Sequence, residues 1–273
     1  MKTANEAKKI TYLVSCTDAK PLINDSAPPD SELPSDYLKT EEKKADHILL
    51  TLSHELRTPM HAILGWIEVL EEESFDIEDR QMAIKSLSRN ATILLEQIDN
   101  LLDASRLMTA ECHLDLGPIN LHTMIMDIIH SFKPSFEAKE ITFQYVNPAK
   151  GAFVKADMQY LRKVLSHLLS NAVKFTPHLG AILLHLKVID NQMEIQIIDT
   201  GYGFNSSFLN KIKSRFQQED GGMTRRFDGS GLGLYIADQA TKRMGGRFSI
   251  ESPGRELGTT CKLLFPLTVP EIF

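Results

Sequence analysis

The stretch LSHELRTPMHAILGW, Leu52 to Trp66, determines how the rest of the chain is interpreted. Apolar residues recur through it in steps of three and four, which predicts a helical seam of the coiled-coil type with one extra four-residue step. The seam consists of Leu49, Leu52, Leu56, Met60, Ile63, Ile67 and Leu70. At about 100° per residue, His54 lies nearly opposite this seam, and Thr58 and His61 share its outward face. Pro59 has no N–H, which predicts a kink beside His54.

A second helix is predicted from about Arg80 to Met108, after a short turn over residues 74–79. Its apolar seam alternates steps of three and four without a break. That seam consists of Ile84, Leu87, Ala91, Leu94, Ile98, Leu101, Ser105 and Met108. Two long helices joined by a short turn form an antiparallel hairpin, which cannot cover all of its apolar side chains alone. Pairing of two hairpins into a four-helix bundle covers them, so we expect a homodimer.

Composition excludes several classes of protein. A length of 273 residues has room for one large domain or two modest ones. The net charge of −6 argues against a general nucleic-acid binder, which needs a basic surface. Three widely spaced cysteines indicate neither a disulfide framework nor a zinc site and fit a cytoplasmic location. No apolar run approaches a membrane span, and the N-terminus has no apolar core for a secretion signal.

The pattern divides the chain into three parts. Residues 1–37 are a proline-rich linker or an unassigned segment, 38–110 form the helical hairpin, and 111–273 form a domain of mixed helices and strands. In the last part, helices are predicted over 121–140, 158–175 and 232–244, and strands over 141–146, 181–189, 193–198, 247–251 and 260–264. Pro134 should kink or interrupt the first of these helices. We therefore expect an α/β sandwich with a mixed sheet.

Polar and glycine clusters in this domain indicate a ligand site. Asn171 lies near the end of an amphipathic helix, with Lys174 three residues on and so on the same face. An amide oxygen suits Mg²⁺, and a lysine suits phosphate oxygens. Asp199 ends a buried strand, where a carboxylate is costly unless a donor pairs with it. Gly201 and Gly203 follow and allow the backbone to approach a ligand closely.

Two further clusters lie near the C-terminus. Gly229, Gly231 and Gly233 run into a predicted helix N-terminus, which favours bound phosphate, and a tight turn at 258–260 precedes the last strand. Any one of these clusters alone is more often a simple turn. A dinucleotide fingerprint fails on spacing, because Ser206 or Ile236 stands where a third glycine is needed. The Walker phosphate-binding pattern is absent as well.

In order, these clusters form a specific set. His-Glu-Leu-Arg-Thr-Pro at 54–59 resembles the H box of sensor histidine kinases of two-component systems. The pattern Asn, Asp-x-Gly-x-Gly, Phe, Gly-x-Gly-x-Gly and Gly-Thr resembles the N, G, F and second G boxes of their ATPase domain. The resemblance covers about residues 45–266. It implies a dimeric phosphotransfer bundle followed by an ATPase domain of the Bergerat fold, shared with DNA gyrase, a heat-shock chaperone family and the MutL proteins.

The resemblance also implies a role for each matching residue. His54 is expected to be the phosphoacceptor, Glu55 its neighbouring base, and Thr58 the residue that positions water for phosphate removal. ATP and Mg²⁺ are the implied ligands, with Asn171 on the metal and Lys174 on phosphate. The other nucleotide-binding residues are expected to be Phe175, Asp199, Gly201, Gly203, Phe216, Gly229, Gly231, Leu232, Gly233 and Thr259.

The implied activity is autophosphorylation of His54 from Mg-ATP, followed by transfer to an aspartate on the receiver domain of a response regulator. No receiver is found in this sequence, so we expect the regulator to act in trans. The connection over 109–117 is the expected hinge between the two domains. His167 departs from the family pattern, because it stands where the first Asn of the N box is usual. A degenerate kinase acting as a phosphatase or scaffold, or another ATPase of the same fold, is the alternative.

Overall fold

The computed structural model describes residues 56–71, 76–109, 112–149, 151–205 and 232–269. The chain divides into two compact units, of which one ends at Leu101 and the other begins at Leu102. The first is helical, and the second contains a mixed sheet with helices. The predicted fold class, a helical domain followed by an α/β domain, is confirmed.

Two helices, α1 over 56–71 and α2 over Ile77–Met108, account for the helical part. The helix α2 begins before the predicted Arg80, because the Asp76 Oδ1 accepts a hydrogen bond from the Asp79 backbone N–H at 2.9 Å and caps it. Several apolar side chains of the predicted seams are exposed in the single chain: Met60, Ile67, Ile84, Ile98 and Met108. Within the described part of the chain, no helix has the length and apolar character that a membrane crossing requires.

A seven-stranded sheet forms the second unit, in the order β1-β3-β7-β5-β4-β2, with β6 also paired to β7. The strands are β1 (Leu116–Asn120), β2 (Thr142–Val146), β3 (Phe153–Asp157), β4 (Ala181–Ile189), β5 (Gln192–Asp199), β6 (Arg247–Glu251) and β7 (Thr259–Thr268). All neighbours are antiparallel except β2 and β4. Asp190 and Asn191 join β4 to β5 in a tight hairpin turn, with φ values of 47° and 59°.

Three helices pack on this sheet: α3 (Leu121–Ala138), α4 (Met158–Phe175) and α5 (Leu232–Arg243). Alternate residues of the central strands are buried, so one face of the sheet forms the core with the helices. Asp157 caps α4, because its Oδ1 accepts from the backbone N–H groups of Gln159 and Tyr160.

Of the kink or interruption predicted at Pro134, the interruption is wrong, because α3 continues through this residue to Ala138. The proline removes one helix hydrogen bond, but the turn that follows is held by aromatic packing. The Phe136 side chain is 6% exposed, and its ring stacks on those of Phe132 and Phe143 with centroid distances of 6.3 and 4.4 Å. Burial of this ring stabilises the last turn of the helix.

The end of α2 belongs to the second unit, where two cations hold it. Lys163 on α4 forms an ion pair with the buried carboxylate of Asp103. Arg243, in the last turn of α5, donates to the carbonyl oxygens of Leu107 at 3.1 Å and Thr109 at 2.6 Å. These carbonyls at a helix C-terminus have no partner within the helix, so the guanidinium caps α2. The first residues of the expected 109–117 hinge are therefore attached to α5.

Candidate functional site

Asp199 is the most strongly perturbed acidic group at the candidate site. It ends β5, its side chain is only 8% exposed, and its Oδ1 accepts hydrogen bonds from the backbone N–H groups of Gly201 at 2.8 Å and Thr259 at 3.1 Å. Burial raises the pKa of this carboxyl from 3.8 to about 6, while the two hydrogen bonds act to lower it. Both bonds go to Oδ1, so Oδ2 is left to accept from a ligand.

The glycines around this carboxylate are required by close backbone approach. A Cβ on Gly201 would lie 2.5 Å from the Phe175 carbonyl oxygen, which no side chain can do without a shift. Gly203 has a φ of +55°, and a Cβ there would lie 2.7 Å from the Ser252 Oγ. Gly258 also has a positive φ, at +76°. The chain therefore needs glycine at these positions to form the wall beside Asp199.

Ser252 is a site residue that the sequence did not reveal. Its Oγ accepts a hydrogen bond from the Phe204 N–H at 3.0 Å and lies 2.8 Å from the Gly258 carbonyl oxygen, to which it can donate. It thereby joins the loop after Asp199 to the turn before β7. The Ser-Pro-Gly sequence at 252–254 suggests a turn, but nothing in the sequence places that turn against residue 204.

The C-terminal end of α4 lies next to this wall. The Phe175 carbonyl oxygen accepts from the Tyr202 N–H at 3.2 Å, which fixes the helix end to the glycine loop. The Lys174 Nζ lies 5.3 Å from the centroid of the Phe175 ring. The Asn171 side chain is half-buried, and no hydrogen bond to it occurs within the described ranges. Its amide is therefore free to contact a ligand.

The start of α5 packs against α4 near His167. Leu232 is fully buried, and a Cβ on Gly233 would lie 3.5 Å from the His167 ring. The His167 Nε2 is buried and has no hydrogen-bond partner among the residues that the structure describes. Burial, followed by the nearby Lys163 ammonium, lowers the pKa of His167 to about 4, against the opposing effect of Asp103. The imidazole is thus neutral at physiological pH.

The structure brings together a large part of the predicted site. Hydrogen bonds or strand pairing join Asp199 to Gly201 and Thr259, and the loop that contains Gly203 to the Phe175 carbonyl. Asn171 and Lys174 lie in the last two turns of α4, next to Phe175. On the helical unit, Thr58 and His61 are exposed, as the predicted outward face requires. The following predicted site residues lie outside the described ranges: His54, Glu55, Phe216, Gly229 and Gly231.

Two family models match the sequence. That of the His Kinase A (phospho-acceptor) domain matches residues 44–110. That of the histidine kinase-, DNA gyrase B- and HSP90-like ATPases matches residues 156–269. The first match contains the predicted H box, and the second contains the N box and both glycine boxes.

Curated relatives match most of this chain over a small part of their own length. Hybrid signal transduction histidine kinase D of Dictyostelium discoideum is 34% identical over 247 residues, which are 88% of this chain and 16% of that protein. Sensor protein EvgS of Escherichia coli K12 is 32% identical over 248 residues, 86% of this chain and 20% of that protein. The chain thus spans about a fifth or less of the length of these two relatives.

Solved structures of similar fold include two kinases. ShkA, in complex with AMPPNP, is 28% identical with a TM-score of 0.60, covering 81% of this chain and 46% of that chain. Histidine kinase ThkA, in complex with response regulator protein TrrA, has a TM-score of 0.63 at 21% identity, covering 88% of this chain and 68% of that chain. At this identity, the second likeness concerns the fold alone.

Proposed function

The chain belongs to the histidine kinase family, and from this premise we propose that it is an ATP-dependent protein-histidine kinase. It phosphorylates its own His54 and passes the phosphoryl group to an aspartate of a response regulator in two-component signalling.

The observation that supports this function best is the environment of Asp199. A buried carboxylate is costly, and here two backbone donors hold one oxygen while the other remains available. The adenine amino group is a donor that would pair with that oxygen. Gly201 and Gly203 allow the loop after Asp199 to pack closely beside the carboxylate, and the adenine base is proposed to lie against this loop. The complex of the related ShkA with AMPPNP supports an adenine nucleotide as the ligand.

The phosphates would extend from the base toward the end of α4. Lys174 supplies a positive charge for phosphate oxygens, and the N-terminal end of α5 at Leu232 and Gly233 supplies backbone N–H groups. Thr259, whose N–H holds Asp199, completes the base end of the site. The predicted nucleotide-binding residues Phe216, Gly229 and Gly231 are proposed to complete the site around the nucleotide.

Asn171 is the residue that would hold Mg²⁺. The described residues contain no group of three or more His, Cys, Asp or Glu side chains able to bind a metal. A nucleotide-bound Mg²⁺ needs only one or two oxygens from the protein, and the unpaired Asn171 amide fits that requirement. When bound, Mg²⁺ neutralises part of the charge on the phosphate oxygens.

His54 would attack the γ-phosphorus with a neutral ring nitrogen. A nitrogen–phosphorus bond forms as the bond from that phosphorus to the β-phosphate bridging oxygen breaks, and ADP leaves. Glu55 would orient the imidazole and take up the proton of the other ring nitrogen. Thr58 follows His54 by four residues in the sequence and is exposed on α1, and it is proposed to hold a water for the removal of phosphate from the partner.

We propose a homodimer as the working assembly and a receiver domain in trans as the phosphate acceptor. Apolar side chains on α2 support the dimer: Ile84 is 59% exposed, Leu95 63% and Ile98 39% in the single chain. Exposed apolar side chains of this kind on one long helix are suited to a four-helix bundle, in which a second chain covers them. The cytoplasmic location predicted from the cysteines remains part of this proposal.

Incubation of the full chain with γ-labelled ATP and Mg²⁺ tests the proposal. We expect a covalent label that is stable to alkali and lost in acid, as is typical of a phosphohistidine. His54→Ala should eliminate the label but leave nucleotide affinity unchanged. The matched control is His61→Ala, which removes an exposed histidine from the same predicted face and should still be labelled. Labelling of His54→Ala would refute the assignment, and nucleotide binding without any label in wild type would favour the degenerate alternative.

A further inference from the structure

Lys139, which follows α3, binds the C-terminal end of α4. Its Nζ donates hydrogen bonds to the carbonyl oxygens of Val173 at 2.8 Å, Lys174 at 3.0 Å and Thr176 at 3.0 Å. The last carbonyls of any α-helix lack partners within the helix and carry its negative dipole end. One ammonium therefore binds three of these carbonyl oxygens and places a positive charge at the C-terminal end of the helix.

The remaining carbonyls of this helix end also have partners. The Ala172 oxygen accepts from the Thr176 N–H at 3.0 Å, and the Phe175 oxygen accepts from the Tyr202 N–H at 3.2 Å. The final turn of α4 is thus held on one side by Lys139 and on the other by the glycine loop after Asp199. This turn carries Lys174 and lies directly after Asn171, so its position fixes both proposed nucleotide contacts.

The backbone around Lys139 fixes where its side chain starts. Lys139 is the C-cap of α3, and Glu140 turns the chain with a φ of 50°. The Lys139 carbonyl oxygen accepts from the Leu179 N–H at 3.0 Å, in the loop that follows α4. Both the backbone and the side chain of this residue therefore bind the segment from Val173 to Leu179.

The charge on Lys139 is not neutralised by a carboxylate. No acidic side chain of the described ranges forms an ion pair with it, and burial lowers the pKa of its ammonium. Its partners are neutral carbonyl groups, which compensate the charge only in part. The result is an unpaired cation at a helix C-terminus, an end that by itself repels anions.

We propose that Lys139 is a positioning residue that makes the C-terminal end of α4 compatible with a bound polyphosphate. This inference rests on the proposed function, which places the nucleotide phosphates beside Asn171 and Lys174. Without Lys139, an anion there would face the uncompensated negative end of the helix. With Lys139, the same end is positive, and the helix turn is held in place.

The number of phosphates on the ligand separates this role from a purely structural one. Nucleotide affinity is measured on the full chain by calorimetry with Mg²⁺ and three ligands: ATP, ADP and adenosine. Lys139→Met, which removes the charge and the donors, should weaken ATP by about three- to tenfold, as expected for a charge at a helix end. The affinity for ADP should fall less, and the affinity for adenosine should not change beyond experimental error, because adenosine carries no charge.

Two further variants control for charge and for geometry. Lys133→Met removes the same charge from α3 at an exposed residue, whose ion pair with Glu137 is long at 3.8 Å, and should change no affinity. Lys139→Arg keeps the charge and should restore more than half of the loss in ATP binding free energy. If Lys139→Met reduces the affinities for ATP and adenosine equally, or reduces neither, the proposal is overturned. Failure of wild type to bind any of the three ligands would instead refute the proposed function.

Discussion

The substitution Asp199→Asn tests whether the Asp199 carboxylate serves ligand binding or the stability of the fold. The substitution keeps the shape of the side chain and an oxygen that can accept from Gly201 and Thr259, but it replaces the second oxygen by an amino group. An amino group cannot accept from the adenine amine. Nucleotide affinity should therefore fall below detection, although the fold loses none of the hydrogen bonds made to Oδ1.

The stability change should have the opposite sign, and its size follows from the carboxyl pKa. That pKa is about 6 in the folded unit, against 3.8 as the ordinary value. Between these values the folded state binds more protons than the unfolded state, so the free energy of unfolding falls as pH rises through this window. At about 1.4 kcal/mol per pH unit, the charge costs about 3 kcal/mol at pH 8 and about half of that at pH 5.

An amide has no such charge, so Asp199→Asn should raise the free energy of unfolding at pH 8 by up to about 3 kcal/mol. At pH 5 the gain should be about half as large. Urea denaturation at both pH values measures it. Asp127→Asn is the matched control, because Asp127 is exposed and its ion pair with Arg162 contributes little. A loss of stability in Asp199→Asn at pH 8 would refute the reasoning, since the carboxylate would then be a structural acceptor.

Three other substitutions test the remaining roles. Asn171→Ala should weaken ATP binding by roughly tenfold or more in the presence of Mg²⁺, since a bond to a charged group contributes about 1.5–3 kcal/mol. It should not change ATP affinity in EDTA, and an equal loss of affinity in both conditions would contradict the metal role. Thr58→Ala should leave autophosphorylation intact and slow removal of phosphate from the cognate regulator, and an unchanged rate of removal would reject the water-positioning role. Ile98→Glu should convert the dimer to a monomer in sedimentation, while Glu96→Gln on the exposed side should not; a monomeric wild type at micromolar concentration would count against the bundle.

Elements with strong local signals were predicted well. The start of α4 at Met158 follows from a capping aspartate, and the β4–β5 hairpin follows from Asp190-Asn191, because both signals act through neighbouring residues. The strands β1 and β3 were missed. Gly117 and Pro118 suggest a break, yet β1 is an edge strand in which a proline need not interrupt the pairing with β3.

The last strand illustrates what non-local pairing adds. A strand over 260–264 was predicted, but β7 extends to Thr268 because it changes partner along its length. Its first part pairs with β5 and β6, and its end pairs with β3 at Leu267 and Thr268. A period-two pattern cannot report such a change of partner. The same limit explains why the Phe204–Ser252 bond and the bonds from the Lys139 ammonium were not anticipated, since each of these joins residues that lie 34 or more apart in the sequence.

Asp199 and Lys139 share a physical feature that links the two ends of the proposed nucleotide site. Burial disfavours the charged form of each, raising the pKa of the carboxyl and lowering that of the ammonium. Backbone groups hold both side chains: N–H groups donate to the carboxylate, and carbonyl oxygens accept from the ammonium. Neither side chain has a charged partner of opposite sign among the described residues. A salt bridge would have cancelled each charge. Because only backbone dipoles hold them, the carboxylate can still accept from a base and the ammonium can still attract phosphate. The free energy of folding that is lost by burying these charges can therefore be recovered when the nucleotide binds.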